Sequence, residues 1–346
     1  MRTPGLLRRA AVVVVVAMLL LVGAAAPAVL AAPTRVAIVF ATGGLGDKSF
    51  NDSAMDGMQK ARQQLGVDFQ YAEPSAIAEY ETYLTQFAQT RRYDLIISIG
   101  FDQADALTAV ASRFPQQKFA IVDMVVDRPN VASYVYREPE RGFALGAVAA
   151  AMTTRRGDPR INPDRVVGIV GGMKIPIIDA NIAGFMAGAG LVDPQVRVLY
   201  SYVGSWADPA KGKELALAMF DQGADIVWGA AGRSGLGVIK AAEERGRYSM
   251  GADSEQDYLA PGSVLTNGMK YVNQTVLTAI RAVMEGRFRG GVHVLGIAEG
   301  ALGYSKSLVP DDVAARVDPL IARVVRGELV PPERIEDVEA WLARHR

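Results

Sequence analysis

The chain has 346 residues, with 37 basic and 37 acidic side chains and therefore no formal net charge. That balance excludes the strongly basic surface that binding to nucleic acid or to an anionic membrane requires. The sequence contains no cysteine, which excludes a disulfide framework and a lipid-modified cysteine, and its two histidines make a histidine metal site unexpected. No cofactor is predicted.

The N-terminal segment has the pattern of a targeting sequence. Its first nine residues include three arginines, residues 10–26 are uncharged and rich in Val, Leu and Ala, and small residues follow. This order is typical of a secretory signal peptide, for which we predict residues 1–31 with cleavage after Ala31. A signal anchor is the alternative, because the apolar run is almost long enough to span a bilayer. We therefore expect export to a bacterial periplasm.

From Arg35 onward, short apolar runs rich in β-formers alternate with segments whose apolar residues recur at helical spacing. This alternation predicts an α/β fold with parallel sheets and helices on both faces. The expected strands are 35–40, 68–72, 95–99, 118–122, 132–136, 166–170, 197–203, 226–228, 248–251, 263–266 and 292–295. The expected helices are 53–65, 78–90, 103–113, 139–152, 180–191, 210–222, 235–245 and 272–285.

The length predicts two doubly wound lobes, joined by a hinge that the chain crosses more than once. A charged, proline-containing segment at Arg137–Glu140 marks the first crossing. A chain that crosses between two α/β lobes leaves a cleft, which is a common place for a small-molecule site. The expected lobes are 35–137 with about 248–290, and 138–247 with about 291–330, followed by a tail at 331–346.

A glycine-rich segment, Ala41–Asp52, joins the first strand to the first helix. Its glycines keep side chains away from a ligand that approaches the backbone closely. The segment does not match a phosphate-binding loop, because Asp47 stands where the anion would lie, and Ser49 replaces the third glycine of a dinucleotide-binding pattern. An acidic residue there favours a neutral ligand with hydroxyl or N–H donors. Taken alone, the segment is only a tight loop with a helix cap.

Polar and aromatic residues also follow the later strands. Because parallel strands end at the same edge of a sheet, we expect these side chains to line one cleft. Each also has a structural interpretation, since aspartates can cap helices, aromatic rings can pack in the core, and Asp253 and Lys270 can form an ion pair. Their shared placement favours a ligand site. The candidate residues are Asp47, Phe50, Asn51, Phe101, Asp102, Asp123, Trp206, Gly232, Asp253 and Lys270.

These side chains suit a flat, uncharged molecule with several hydroxyl groups. Phe50 and Trp206, from different lobes, can hold a planar ring between them. Asp253 suits a ribose diol because a carboxylate accepts hydrogen bonds from neighbouring hydroxyls, and Lys270 can donate to the same oxygens. A nucleoside fits all of these groups, whereas the phosphate of a nucleotide would face carboxylates.

Several segments stand in order at a familiar spacing, above all Asp-Lys-Ser-Phe-Asn-Asp at 47–52 and Gly-Gly-Met-Lys-Ile-Pro at 171–176. Together they resemble the basic membrane protein (Bmp) family, the purine nucleoside receptor-like substrate-binding proteins of ABC transporters. The resemblance covers about residues 35–323. It implies a type I periplasmic-binding-protein fold that binds a purine nucleoside between two lobes and delivers it to an inner-membrane permease. The other matching segments are 135–138, 204–208, 230–237 and 251–253.

The resemblance also implies roles for individual residues. Phe50 and Trp206 correspond to a pair that stacks on the base, and Asn51 and Asp123 to base or cleft contacts. Asp253 and Lys270 correspond to ribose contacts, and Gly232 to a backbone donor. Many members are lipoproteins with an N-terminal cysteine, and this sequence departs from them, so we expect a monomer in the periplasm without a lipid anchor. Guanosine, inosine and adenosine remain alternative ligands.

Three other functions remain open at this point. The same fold could bind a sugar or an autoinducer-type ligand. A nucleoside hydrolase could use Asp47, Asp123 or Asp253 as acid or base, although the sequence shows no pattern of a nucleophile with an adjacent base. A ligand-sensing partner of a membrane kinase would have the same sequence features as a transport protein. We predict a binding protein rather than an enzyme.

Overall fold

The computed structural model describes residues 33–346, so the predicted signal peptide, residues 1–31, lies outside the described part of the chain. Residues 34–346 fold around two six-stranded sheets. Helices pack on both faces of each sheet, as the alternation of elements predicted. Among the described residues, no helix combines the length and the apolar character needed to cross a membrane.

The first sheet is entirely parallel, and every strand in it is rich in Val, Ile or aromatic residues. Its strands are β1 (Arg35–Val39), β2 (Asp68–Ala72), β3 (Leu95–Ile99), β4 (Phe119–Val122), β5 (Val131–Tyr136) and β11 (Gly291–Leu295), in the order β11-β5-β4-β3-β1-β2. One face is covered by α1 (Phe50–Leu65) and α8 (Val272–Met284), the other by α2 (Tyr80–Gln89) and α3 (Ala104–Arg113).

The second sheet is parallel except for its last strand, which pairs antiparallel to its neighbour. Its strands are β6 (Val166–Gly171), β7 (Arg197–Tyr202), β8 (Ala224–Ala230), β9 (Tyr248–Asp253), β10 (Val264–Lys270) and β12 (Leu302–Tyr304), in the order β12-β10-β9-β8-β6-β7. One face carries α4 (Glu138–Thr153), α5 (Pro176–Val192) and α9 (Asp311–Val325), the other α6 (Pro209–Asp221) and α7 (Gly235–Arg245).

The hinge crossings lie at other positions than predicted. We expected the chain to return to the first lobe at Tyr248, but β9 and β10 continue the second sheet beside β8. The chain returns only after Lys270, and β11, which was expected in the second lobe, pairs with β5 in the first. The alternation of elements reveals their type but not their sheet, because both parallel sheets offer the same kind of buried face.

The C-terminal segment is part of the second lobe rather than the tail predicted for residues 331–346. Helix α10 (Val338–His345) packs against α5 through Trp341, which is buried and donates its indole N–H to the carbonyl oxygen of Val330 at 2.7 Å. Helix α9, which precedes it, was not predicted either. It contains Pro319, and a proline inside a helical pattern normally indicates a break.

Helices α4 and α5 cross in direct backbone contact. A Cβ atom built on Gly146 would lie 1.9 Å from the carbonyl oxygen of Phe185, and one on Gly142 would lie 2.2 Å from an α5 carbonyl. On α5, Gly184 and Gly188 meet the α4 backbone in the same way, at 2.2 and 2.1 Å. Only glycine permits this approach. The crossing fixes the N-terminal ends of both helices, which form part of the floor of the cleft described below.

Asp225, at the start of β8, is a buried carboxylate whose ionisation destabilises the folded protein. One oxygen accepts hydrogen bonds from Thr153 Oγ1 at 2.9 Å and from the backbone N–H of Asn162 at 3.3 Å, and the other has no partner among the described residues. Burial raises the pKa of Asp225 to about 7, far above its usual 3.8. The folded protein therefore loses stability as the pH rises from about 4 to about 7.

We predict that Asp225→Asn stabilises the protein at neutral and alkaline pH. The amide oxygen keeps both hydrogen bonds, and no charge has to be buried. The melting temperature should rise by roughly 2–4 °C at about pH 8, and the gain should shrink towards about pH 4, where the native carboxyl is protonated in both states. Asp105→Asn, an exposed carboxylate on α3, serves as the control. An equal gain at all pH values would contradict the assignment to the buried charge.

Candidate functional site

A cleft of about 720 Å³, part of it open to solvent, lies at the carboxyl ends of the parallel strands between the two lobes. Every candidate residue from the sequence lines this one cleft. Whether these residues bind a ligand stays a prediction. The cleft is also lined by Ala41, Thr42, Gly43, Gly100, Arg141, Ile175, Ile177, Ile178, Ala230, Arg233 and Ala252.

Asp47 organises the glycine-rich loop at the start of α1. One oxygen accepts hydrogen bonds from the backbone N–H groups of Ser49 at 2.9 Å and Asp52 at 3.1 Å, and the other from that of Asn51 at 2.9 Å. Burial raises the pKa of Asp47 to about 6, although these hydrogen bonds oppose the shift. The carboxylate thus satisfies N–H groups that the first turn of the helix leaves free. Asp47 therefore lines the cleft, but both of its carboxylate oxygens already accept hydrogen bonds from backbone N–H groups.

Asn51 presents a donor to the cleft. Its side chain is only 3% exposed, and its Oδ1 accepts a hydrogen bond from the backbone N–H of Ala41 at 3.0 Å. This bond fixes the orientation of the amide, because the N–H can pair only with the amide oxygen. The Nδ2 group makes no hydrogen bond to the described part of the chain. It is therefore available to an acceptor on a ligand.

Phe50 and Trp206 enter the cleft from opposite lobes. Phe50 is the first residue of α1, and Trp206 follows β7. The indole ring lies directly on the backbone of Gly172, where a Cβ atom would come within 2.2 Å of the ring. The Trp206 carbonyl oxygen accepts a hydrogen bond from the N–H of Ser234 at 3.1 Å, which holds the residue in place. Two aromatic rings on separate lobes can close on a planar ligand when the hinge bends.

Asp102 is held by hydroxyl groups of its own lobe. The Tyr80 hydroxyl accepts the backbone N–H of Thr42 at 2.8 Å, so its single proton is left for Asp102 Oδ2 at 2.9 Å. The Thr42 hydroxyl donates to the same oxygen at 3.2 Å. Burial raises the pKa of Asp102. Asp102 makes no side-chain cap on the following helix, so the helix-cap interpretation is wrong, and Phe101 beside it also lines the cleft.

Lys270 lies at the floor of the cleft, between two carboxylates. Its Nζ is 2.6 Å from both oxygens of Asp123 and 2.7 Å from Glu138 Oε1. These contacts use the three protons of the ammonium group, so the ion pair of Lys270 with Asp253 that was the structural alternative is not formed. Burial lowers the pKa of Lys270, but the two carboxylates more than offset it and the net shift is upward.

Arg141 connects Glu138 to Asp253 on the other side of the floor. Its Nη1 contacts Asp253 at 2.6 Å, its Nη2 contacts Glu138 at 2.8 Å, and its Nε donates to Asn181 Oδ1 at 3.1 Å. The second oxygen of Asp253 accepts the hydroxyl of Ser49 from the first lobe. Burial raises the pKa of Glu138, but the positive charges of Arg141 and Lys270 lower this pKa by more than burial raises it, so the net shift is downward. The floor is therefore a continuous network of ionic contacts that joins the lobes and runs through Asp123, Lys270, Glu138, Arg141 and Asp253.

Two residues of this ionic network have an unusual backbone conformation. Asp123 has φ of 76° and Asp253 has φ of 65°, both in the left-handed region that non-glycine residues rarely adopt. Each stands where a strand ends, at β4 and β9. Such strain persists only where the surroundings impose it, and it concentrates at ligand sites. Here it turns both carboxylates towards the cations of the floor.

Two α/β lobes built on largely parallel sheets, a hinge crossed three times and a cleft at the strand ends define the type I fold of periplasmic solute-binding proteins. The chain belongs to the Bmp family, because residues 34–323 match the family model described as ABC transporter substrate-binding protein PnrA-like. Members of this family, and two solved structures that resemble the chain at 30% and 26% identity, are solute-binding proteins of ABC transporters rather than enzymes. The predictions of the family, the fold class and a non-enzymatic protein are therefore confirmed.

Individual relatives agree with this family. An uncharacterized lipoprotein of Pyrococcus abyssi is 34% identical over 286 residues, which cover 79% of this chain and 69% of the relative. Basic membrane protein A of Borreliella afzelii is 29% identical over 87% of this chain and 92% of its own length. A crystal structure of an ABC-transporter solute-binding protein from Aeropyrum pernix is 30% identical, has a TM-score of 0.79, and covers 90% of this chain and 99% of its own.

The sequence interpretation missed Arg141, Arg233 and Glu138 as residues of the site. Glu138 and Arg141 stand one helical turn apart, with Glu140 between them, at the start of a helix that is apolar from Gly142 to Met152. Two opposite charges at the end of a buried helix could have indicated a polar cleft. Arg233 lies in the glycine-rich segment after β8, where the glycines drew attention and the arginine did not.

Proposed function

We propose that this protein captures a purine nucleoside in its cleft and delivers it to an ABC permease. The observation that carries the proposal is that Phe50 and Trp206 line the cleft from opposite lobes. A planar base between them would be covered on both faces when the lobes close. Stacking of this kind favours a flat aromatic ligand over a free sugar.

The polar groups of the cleft support the same ligand. Asn51 Nδ2 is a free donor for an acceptor on the base. Asp123 and Asp253 retain lone pairs beyond those that Lys270 and Arg141 occupy, and these can accept the hydroxyl groups of a ribose. A phosphate group would instead face carboxylates on several sides of the cleft. A neutral nucleoside is therefore preferred to a nucleotide.

Isothermal titration calorimetry with guanosine, inosine and adenosine tests the proposal. Free ribose and guanosine monophosphate are the comparison ligands. We expect micromolar or tighter binding of at least one nucleoside and much weaker binding of both comparison ligands. Tight binding of ribose alone would instead support the alternative of a sugar-binding protein.

Phe50→Ala and Trp206→Ala should each weaken nucleoside binding by about 1–3 kcal/mol, the usual contribution of a base stacked on an aromatic side chain. The same titrations measure the effect. Tyr71→Ala, which removes an aromatic ring that is half exposed at the sheet edge away from the cleft, is the matched control. If neither cleft variant changes the affinity, the stacking proposal fails.

We further propose that the protein acts outside the cytoplasm, as a substrate-binding protein must in order to load a permease. The signal peptide, the periplasmic location and the absence of a lipid anchor concern the segment before residue 33. They stay predictions, as does the monomeric state. The Pyrococcus abyssi relative is described as a lipoprotein, whereas this sequence has no cysteine.

A further inference from the structure

Arg233 reaches across the mouth of the cleft from one lobe to the other. It follows Gly232 at the end of β8 and lines the cleft. Its Nη2 donates a hydrogen bond of 2.6 Å to the carbonyl oxygen of Leu45, in the glycine-rich loop of the first lobe. The contact joins a residue of the second lobe to a loop of the first, so separation of the lobes at this point must break it.

The guanidinium of Arg233 has no counter-ion, unlike the other two cations of the cleft. Arg141 and Lys270 each contact two carboxylates. Around Arg233, no carboxylate of residues 33–346 lies within ion-pair distance, and its Nε is buried without a partner. The Leu45 carbonyl is thus the one protein acceptor that this cation has in the described chain. A hydrogen bond from a charged donor in such a place is among the stronger ones.

The loop is prepared for this contact by its own lobe. Glu73 accepts the backbone N–H of Leu45 at 3.0 Å, which fixes this residue from within the first lobe. Gly44 and Gly46, with φ of +65° and +87°, flank Leu45 and leave its backbone uncovered by side chains. The acceptor is therefore in position before the lobes meet.

We propose that Arg233 is an affinity-determining residue that acts on the ligand through the glycine-rich loop. Its bond to Leu45 forms on closure and stabilises the closed state over the open one, which slows release of the enclosed ligand. Arg233 is a positioning residue, because the effect requires no contact with the ligand. The inference rests on the proposed function for the identity of the ligand, but closure itself does not depend on that identity.

Stopped-flow kinetics with the nucleoside that binds most tightly tests the inference. In Arg233→Ala, the dissociation rate should rise about tenfold, as expected for loss of one charge-assisted hydrogen bond, while the association rate changes less than about twofold. Arg233→Lys keeps a charged donor and should recover part of the loss. Arg326→Ala, which removes an exposed arginine on the surface, is the control. An unchanged dissociation rate in Arg233→Ala would overturn the inference.

A second measurement needs no ligand. Trp228 and Trp341 are buried, whereas Trp206 is partly exposed and packs against Gly43 of the opposite lobe. Opening should therefore increase quenching of tryptophan fluorescence by acrylamide, and Arg233→Ala should be quenched more than the native protein. If the native protein binds none of the nucleosides, the proposed function fails. The inference about the Arg233–Leu45 contact is then judged on quenching alone. Equal quenching of the two proteins would then overturn it.

Discussion

Gly146→Val should abolish the native fold, or leave a protein destabilised by more than about 4 kcal/mol, because its side chain would occupy the space of a backbone carbonyl. A Cβ atom at this position would lie 1.9 Å from the Phe185 oxygen, and backbone cannot move aside as a flexible side chain can. Gly146→Ala should already cost about 3 kcal/mol. This loss runs against helix propensity, which favours alanine over glycine by about 1 kcal/mol. Urea denaturation and the yield of soluble protein measure the effect.

Gly303→Ala is the control for this substitution. Gly303 lies in β12 with no atom within 4 Å of an added Cβ, so its stability should change by no more than about 0.5 kcal/mol. A native-like melting temperature for Gly146→Ala would mean that α4 and α5 can separate at little cost. The close crossing would then not be what holds the cleft floor.

Lys270→Met should destabilise the protein by about 3–5 kcal/mol, since it leaves Asp123 and Glu138 buried without their shared cation. Burial already raises the pKa of Asp123 to about 6 in the native protein, and loss of Lys270, whose charge lowers this pKa, raises it further. Lys270 also lowers the pKa of Glu138, so that pKa rises as well, although Arg141 still opposes the change. The folded variant then binds more protons than the unfolded chain, and its stability falls as the pH increases. The loss should thus be smaller at about pH 5 than at about pH 8. Thermal unfolding at the two pH values measures it.

Two further variants separate the buried charge from the loss of side-chain volume. Lys240→Met, at an exposed lysine of α7, should leave the melting temperature unchanged. Adding Asp123→Asn to Lys270→Met should restore part of the lost stability, because the charge of Asp123, which has no cation left, is then removed, whereas Glu138 keeps Arg141. A loss that is the same at both pH values and is not relieved by Asp123→Asn would contradict the charge explanation.

The predicted strands and helices up to residue 295 agree with the structure, because their patterns are local. The runs at 68–72 and 95–99 coincide with β2 and β3. Periods of 2.0 and 3.6 residues follow from backbone geometry alone. Local patterns do not determine to which sheet a strand belongs. The composition of β9, for example, is compatible with either sheet. Its place beside β8 depends on contacts between distant parts of the chain.

The candidate residues were found by a rule that needs no coordinates. Parallel strands present their carboxyl ends at one edge, so polar residues that follow strands converge. The rule places residues near one another but does not determine their partners. Lys270 bonds to Asp123 and Glu138 rather than to Asp253, which pairs with Arg141 instead. Which carboxylate meets which cation depends on the position of the hinge crossings and on the length of each side chain.

By itself, the sequence therefore determined the α/β class, the family and the candidate residues that line the cleft, although not Arg141 or Arg233, because each of these depends on order and spacing along the chain. Only the tertiary structure decided which lobe holds β9, β10 and β11, which charges pair on the floor, and that Arg233 meets Leu45 across the mouth. These contacts join residues far apart in the chain. They are selected by the packing of whole lobes, which no local pattern encodes.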